Sequence, residues 1–141
     1  MASKEYSSAR TAETPAGAWL IGVAAWAVPG LGHLLQRRWV RGALLGGAVW
    51  VMFVLGISLG GHLFGVSSKD QGLAGILQIL PMIANAGSGL LYVFCWLANT
   101  GFVEKAQLVT SEYGDKFLLV AGLLNYLAML DAFDIAAGRK R

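Results

Sequence analysis

Long apolar stretches separated by short polar connections dominate the pattern of this chain. The stretches cover residues 16–35, 43–66, 73–98 and 117–137, and the first three contain no Asp, Glu, Lys or Arg. A bilayer core about 30 Å thick is crossed by roughly 20 helical residues. Each stretch is long enough for one crossing, so the pattern predicts an all-α integral membrane bundle of about four transmembrane helices.

Proline and glycine interrupt two of these stretches. Pro29, with glycine on both sides of the following leucine, predicts a kink, or an early helix end with a short irregular return. Pro81 predicts a kink in the third stretch, where Asn85 or Ser88 could bond carbonyls freed nearby. Backbone groups exposed at such breaks cannot face lipid, so we expect both regions to pack against protein or to lie near the interface.

The sequence divides into a flexible polar leader (1–14), a single transmembrane domain (15–138) and a basic tail (139–141). The longest connection between predicted spans, 99–116, leaves no room for a separate soluble catalytic module. Cys95 is the single cysteine, so an internal disulfide is impossible. We recognise no catalytic set and no metal-ligand cluster, and we expect a protein that is not an enzyme.

Charged residues make up 13% of the chain, about half the usual share in a soluble domain. The net charge is +3, but the Lys and Arg side chains lie at span ends without the interleaved aromatic residues of a nucleic-acid surface. We therefore expect membrane lipids as partners and no nucleic acid. The residues expected to contact lipid headgroups or a partner chain are Arg37, Arg38, Trp39, Arg41, Arg139 and Lys140.

The two basic segments conflict with four crossings. Four crossings place the turn at 37–41 on the opposite side of the membrane from the tail at 139–141, whereas the positive-inside rule favours one side for both. Either the charge bias is nearly balanced, or one segment re-enters without crossing. The Pro29 and Pro81 segments are the candidates for re-entry.

Glycines recur on one side of the second predicted helix. At about 100° per residue, the four glycines at positions 42, 46, 56 and 60 fall within roughly 80° of one another. They form two Gly-x-x-x-Gly pairs, a spacing that allows another helix to approach closely. Small residues also follow Pro81. Both internal packing and contact with a separate chain fit the predicted helix-packing glycines, which are Gly42, Gly46, Gly56, Gly60, Gly87 and Gly89.

Four side chains within or beside the apolar stretches could carry polar chemistry: His33, His62, Asp131 and Asp134. A histidine in an apolar helix can ligate haem or the magnesium of a chlorophyll, but two histidines without a ligand spacing fit interhelical hydrogen bonds or interfacial placement better. Intramembrane carboxylates often mark ion or proton routes. The nearby basic tail also fits a structural pairing, for example with Arg139.

Two blocks resemble known bacterial membrane proteins. Pro29-Gly30-Leu31-Gly32-His33, followed by the basic turn to Arg41-Gly42 and an apolar run, resembles the hairpin of the TM-two domain. Together with residues 123–135 and Gly138-Arg139-Lys140, the chain resembles a family of small bacterial multi-pass proteins of unknown function. The resemblance implies an inner-membrane protein and transfers no activity.

Two main functions remain after these observations, and a lipid or pigment binder is a third option. The first is a non-catalytic accessory or assembly subunit of a larger inner-membrane complex, such as a respiratory or photosynthetic one, packing through its glycine-rich helix faces. The alternative is a small homo-oligomeric channel or transporter that uses Asp131 and Asp134.

Overall fold

The computed structural model describes residues 16–65, 72–103 and 109–139. Within these ranges all regular structure is helical, which confirms the all-α prediction. The predicted leader, residues 104–108 of the connection at 99–116, and Lys140 lie outside the described residues. The helices are α1 (Ala16–Ala27), α2 (Leu31–Leu35), α3 (Trp39–Ser58), α4 (Leu73–Ala86), α5 (Leu90–Leu97) and α6 (Ser111–Ala136).

Helices α1 and α2 form a hairpin, the first hairpin, that starts and finishes at the same end of α6. Near its start, the Trp19 ring packs edge-on against Phe133, with the ring centroids 5.0 Å apart. Helix α1 ends at Ala27 because Pro29 lacks an N–H and disfavours a helical residue before it. After this turn, Gln36 Nε2 donates to the carbonyl of Ala132 at 2.8 Å. The irregular return predicted at Pro29 is therefore confirmed.

Helices α4 and α5 form the second hairpin, bent by 110° at residues 87–89. The residues before and after this hairpin lie together. Phe102 packs against Gly65, and the Leu63 N–H donates to the carbonyl of Gly101 at 2.6 Å. The main break predicted at Pro81 lies instead at the Gly-Ser-Gly turn after α4, because α4 continues through the proline. A glycine with positive φ supports so sharp a reversal better than a proline inside a helix.

The long helices α3 and α6 run antiparallel beside each other. The end of α3 meets the start of α6, where Gly56 packs against Gly114 and Leu118. Both helices are long and apolar enough to cross a membrane, and the bent α4–α5 pair could make at most a third crossing. Helix α1 has 12 residues, about 18 Å, which is too short. The expected count of four spans is therefore not confirmed, because two apolar stretches double back.

The second half of the chain repeats the arrangement of the first in the opposite direction: a hairpin, then a long helix. The first hairpin approaches from the end where α6 finishes, and the second returns to the end where α6 begins. Because the first hairpin doubles back, the turn at 37–41 lies at the same end as Arg139. We call this the basic end, and it removes the conflict between the two basic segments.

Candidate functional site at the hairpin junction

The tips of the two hairpins meet beside the middle of α6. Gly89 at the second tip lies against the carbonyl of Trp26 in the first hairpin, so closely that a Cβ would collide with it. Gly89 also has φ +62°, a conformation that L side chains rarely adopt. Across the same contact, Trp26 Nε1 donates to the carbonyl of Ala86 at 3.2 Å. The two hairpins are thus joined through backbone groups at their tips.

Asn125 of α6 ties both tips to the long helix. Its Nδ2 donates to the carbonyl of Trp26 at 2.9 Å and to that of Gly87 at 2.8 Å. Each carbonyl lies at a helix end, where the regular helical partner is missing. One amide therefore satisfies an acceptor from each hairpin, and Asn125 is 0% exposed.

Two further polar side chains belong to this contact, and both are also 0% exposed. Asn85 lies in the last turn of α4, with its Cα over Gly122, three residues before Asn125. Ser88 lies between the two glycines of the second tip. We call Asn85, Ser88 and Asn125 the polar junction.

The polar junction has hydrogen-bonding capacity left over. Among the described residues, both side-chain atoms of Asn85, the Ser88 Oγ and the Asn125 Oδ1 have no partner. A buried polar group without a hydrogen bond is unfavourable by about 1–3 kcal/mol, so such groups generally hold water or a ligand. The set is uncharged and contains acceptors and donors together. A bare cation would satisfy only the oxygens and an anion only the donors, whereas water or a small uncharged solute with both groups matches both kinds of atom.

A second buried contact lies at the basic end, between His33 and Asp131. The Nε2 of His33 is 3.1 Å from the Asp131 Oδ2, the imidazole is fully buried, and the Asp131 side chain is 30% exposed. His33 is placed here by α2, which returns toward the end of α6. The pair therefore links the first hairpin to α6 and leaves the carboxylate in reach of the surface.

The other two candidate residues lie apart from this pair. The Arg139 guanidinium is 3.5 Å from the Asp134 carboxylate on the surface. His62 lies beyond the end of α3, where its N–H donates to Asp115 and its Nε2 is 3.1 Å from the Phe102 carbonyl. Asp115 and Asp131 are separated by roughly 24 Å along α6. The structure therefore does not join His62 and the two candidate aspartates into one polar path.

Most of the predicted helix-packing glycines make contacts within the chain. Gly42 and Gly46 of α3 lie against the turn at Pro29 and Gly30. The prediction that Gly60 lies on the packing face of this helix is wrong, because α3 ends at Ser58 and Gly60 takes φ +84° in the following turn.

Gly87 packs against Gly122 and Tyr126, and Gly89 against the first hairpin. The close approach expected from the glycines thus occurs between helices of one chain.

No described group of three or more His, Cys, Asp or Glu side chains is arranged to hold a metal ion. Ligation of haem or chlorophyll through Nε2 would require His33 to leave Asp131 and His62 to leave the Phe102 carbonyl. The headgroup candidates Arg37, Arg38, Trp39 and Arg41 occupy the turn and first helical residues at the basic end, with Trp39 67% exposed.

Sequence reasoning did not single out Asn125 as a site residue. It lies three positions after Gly122, and the spacing alone does not reveal that both face the second tip. The available signal was an amide inside an apolar helix, since polar residues at such positions are often functional. Asn85 and Ser88 were expected only as partners for carbonyls near Pro81.

The chain belongs to a family of unknown function, DUF6677, whose model matches residues 20–141. This agrees with the recognition of an uncharacterised family from the first hairpin and the last helix. Neither a curated protein nor a solved structure matches the chain.

Proposed function

We propose that this protein is a small multi-pass channel or transporter of the bacterial inner membrane, without catalytic activity, whose polar junction binds a small uncharged solute midway across the bilayer. The observation that supports this proposal is the meeting of two oppositely directed hairpins around buried, uncharged hydrogen-bonding groups. It is the channel alternative raised by the sequence, with the site moved from the two carboxylates to Asn85, Ser88 and Asn125.

The charge distribution suggests an orientation. In the proposed topology α3 and α6 cross the membrane, and each hairpin enters the membrane and returns to the same side. The start of α1 and the end of α6 then lie on the same side of the membrane. The basic end carries Arg37, Arg38, Arg41 and Arg139, whereas described residues at the other end include Lys116 beside Glu112. The positive-inside rule then assigns the basic end to the cytoplasm.

The irregular backbone supports a transport role. Helix breaks at membrane depth are tolerated where they are buried in protein or line a water-filled cavity. In many transporters, oppositely oriented halves place broken helices at the midplane, where the freed backbone groups bind the solute. Here the tips of both hairpins lie beside the middle of α6, at Asn125.

The His33–Asp131 pair has a separate role in this proposal. It lies at the basic end, on the hairpin that would have to move to admit a solute. A carboxylate bonded to a buried imidazole holds that hairpin against α6. We therefore assign it to positioning the first hairpin rather than to solute binding.

The test is solute permeation through proteoliposomes. Purified protein is reconstituted, and shrinkage and reswelling in urea or glycerol gradients are followed by stopped-flow light scattering. The wild-type protein is expected to raise permeability above that of protein-free vesicles. Asn85→Leu, which keeps the branching of the side chain at Cγ and replaces both hydrogen-bonding atoms by methyl groups, should return it toward the baseline. Thr100→Val, on an exposed turn, is the matched control and should have no effect.

Two results would contradict the proposal. One is wild-type permeability equal to that of empty vesicles for water, urea and glycerol. The other is an Asn85→Leu protein that conducts like wild type. Proton or cation flux that disappears with Asp131→Asn but survives Asn85→Leu would instead favour the original carboxylate route.

The accessory subunit remains a second candidate because of α4. Four large apolar side chains on this helix are between 64 and 76% exposed: Leu73, Ile76, Leu77 and Leu80. An exposed apolar helix face of this kind could lie against lipid or the helices of another integral membrane subunit, including one in a respiratory or photosynthetic complex. The glycine faces no longer support this candidate, since they pack inside the chain.

Purification from native membranes in mild detergent separates the two candidates. An assembly subunit should co-purify with larger membrane proteins, and Leu77→Ser with Leu80→Ser should release it from them. Recovery of this polypeptide alone, or as a homo-oligomer, contradicts the accessory role. A visible spectrum of the same material tests the haem and chlorophyll alternatives, because either pigment absorbs strongly there.

A further inference from the structure

An apolar groove of about 410 Å³ runs between α1 and α6. Trp19, Val23 and Trp26 line it on one side and Tyr126, Leu130 and Phe133 on the other. Gly22 forms part of its floor, where a Cβ would touch the Phe133 ring at 3.3 Å. Glycine at this position therefore lets α1 lie close against the Phe133 ring.

A cation lies at one end of this groove. The Arg139 guanidinium carbon is 6.0 Å from the centre of the Phe133 ring, and the Arg139 side chain is 61% exposed. Its partner Asp134 is also partly exposed and 3.5 Å away, so the ion pair is weak and leaves most of the five guanidinium donors available. Trp19 at the same end is the type of residue found at the level of lipid headgroups.

We propose that this groove binds one anionic phospholipid, with an acyl chain against the aromatic walls and the phosphate on Arg139. The wholly apolar lining suits a hydrocarbon chain and offers no recognition for a polar solute. The cation at the basic end complements a negatively charged headgroup in the adjoining leaflet. This lipid site shares Trp26 with the contact between the hairpin tips, but it contains none of the three side chains of the polar junction and does not depend on the proposed transport.

Native mass spectrometry of the full chain tests the proposal. The detergent-purified protein is mixed with equal amounts of dioleoyl phosphatidylglycerol and dioleoyl phosphatidylcholine, and the retained lipid is counted. The wild-type protein is expected to favour the anionic lipid about fivefold, which corresponds to roughly 1 kcal/mol for one surface cation. Arg139→Gln should remove this preference but keep binding of both lipids, whereas Arg41→Gln, at the same end but away from the groove, should leave it intact.

A groove-filling variant tests the acyl-chain contact. Val23→Trp adds a large side chain at a position that is 61% exposed, so it should fill the groove without disturbing the core. It should abolish retention of both lipids. Val51→Trp, on a 59% exposed position of α3, is the matched control and should retain them. Equal retention of the two lipids by wild type, or full retention by a folded Val23→Trp protein, would overturn the proposal.

Discussion

The packing of the second hairpin on α6 leads to a sharp prediction at Gly122. A Cβ at this position would collide with the Ala84 carbonyl of α4, and that backbone oxygen cannot move as a flexible side chain could. Gly47 of α3 offers a matched comparison, because it also lies inside a long helix and nothing comes within 4 Å of its Cβ position. Alanine at either site gains the same helix propensity.

The difference between the two variants isolates the contact. A glycine-to-alanine change inside a helix is favourable by roughly 0.5–1 kcal/mol, so Gly47→Ala should be neutral or slightly stabilising. Gly122→Ala adds overpacking, which typically costs about 1–3 kcal/mol and should lie at the upper end here because the obstacle is backbone. We expect a net destabilisation of about 2 kcal/mol for Gly122→Ala.

Unfolding by SDS in mixed micelles, followed by far-UV circular dichroism, measures both free energies on the same scale. The reasoning requires Gly122→Ala to unfold at clearly lower SDS than wild type, and Gly47→Ala at the same or higher SDS. If Gly122→Ala were as stable as Gly47→Ala, the tip of the second hairpin would not pack on α6, and the polar junction would lose its geometric basis.

Two other predictions concern the basic end. Single cysteines at Arg38 and Arg139 in a cysteine-less background should react with a membrane-impermeant maleimide from the same side, and one at Thr100 from the other; four crossings would place the first two on opposite sides. Replacing His33 by Leu should destabilise the protein by about 1–3 kcal/mol, because it removes the hydrogen bond between the imidazole and the Asp131 carboxylate. In a double-mutant cycle with Asp131→Asn, the second change should then have a smaller effect, and purely additive effects would show that the two side chains do not interact.

The sequence predicted the positions of the helix breaks better than the number of membrane crossings. Pro29 predicted an early helix end with a return, and α1 does end at Ala27. Pro81 predicted a break in the correct apolar stretch, 73–98, but the reversal falls six residues later, at Gly87. A helix can accommodate one proline if neighbours satisfy the freed carbonyl, whereas the Gly-Ser-Gly turn supplies a positive φ and room for the first hairpin.

The candidate site was harder to predict, since its members come from distant parts of the chain. Asn85 and Ser88 were expected to satisfy local carbonyls, yet among the described residues their side-chain atoms have no partner, and Asn125 bonds the carbonyls instead. The histidines and aspartates drew attention as isolated polar residues. Only one pair, His33 with Asp131, is brought together, because α2 returns to the end of α6.

By itself, the sequence determined that the chain is helical, that its long segments are apolar enough for a membrane, and where proline and glycine would interrupt them. These properties depend on composition and on local backbone chemistry, which neighbouring residues reveal. Tertiary structure alone decided which apolar stretches double back, that both basic segments share one end, and that three uncharged side chains are buried where the hairpin tips reach the middle of α6. The hydropathy of a segment shows how apolar it is but not whether the segment crosses the membrane or turns back. That depends on where small residues let two backbones approach each other.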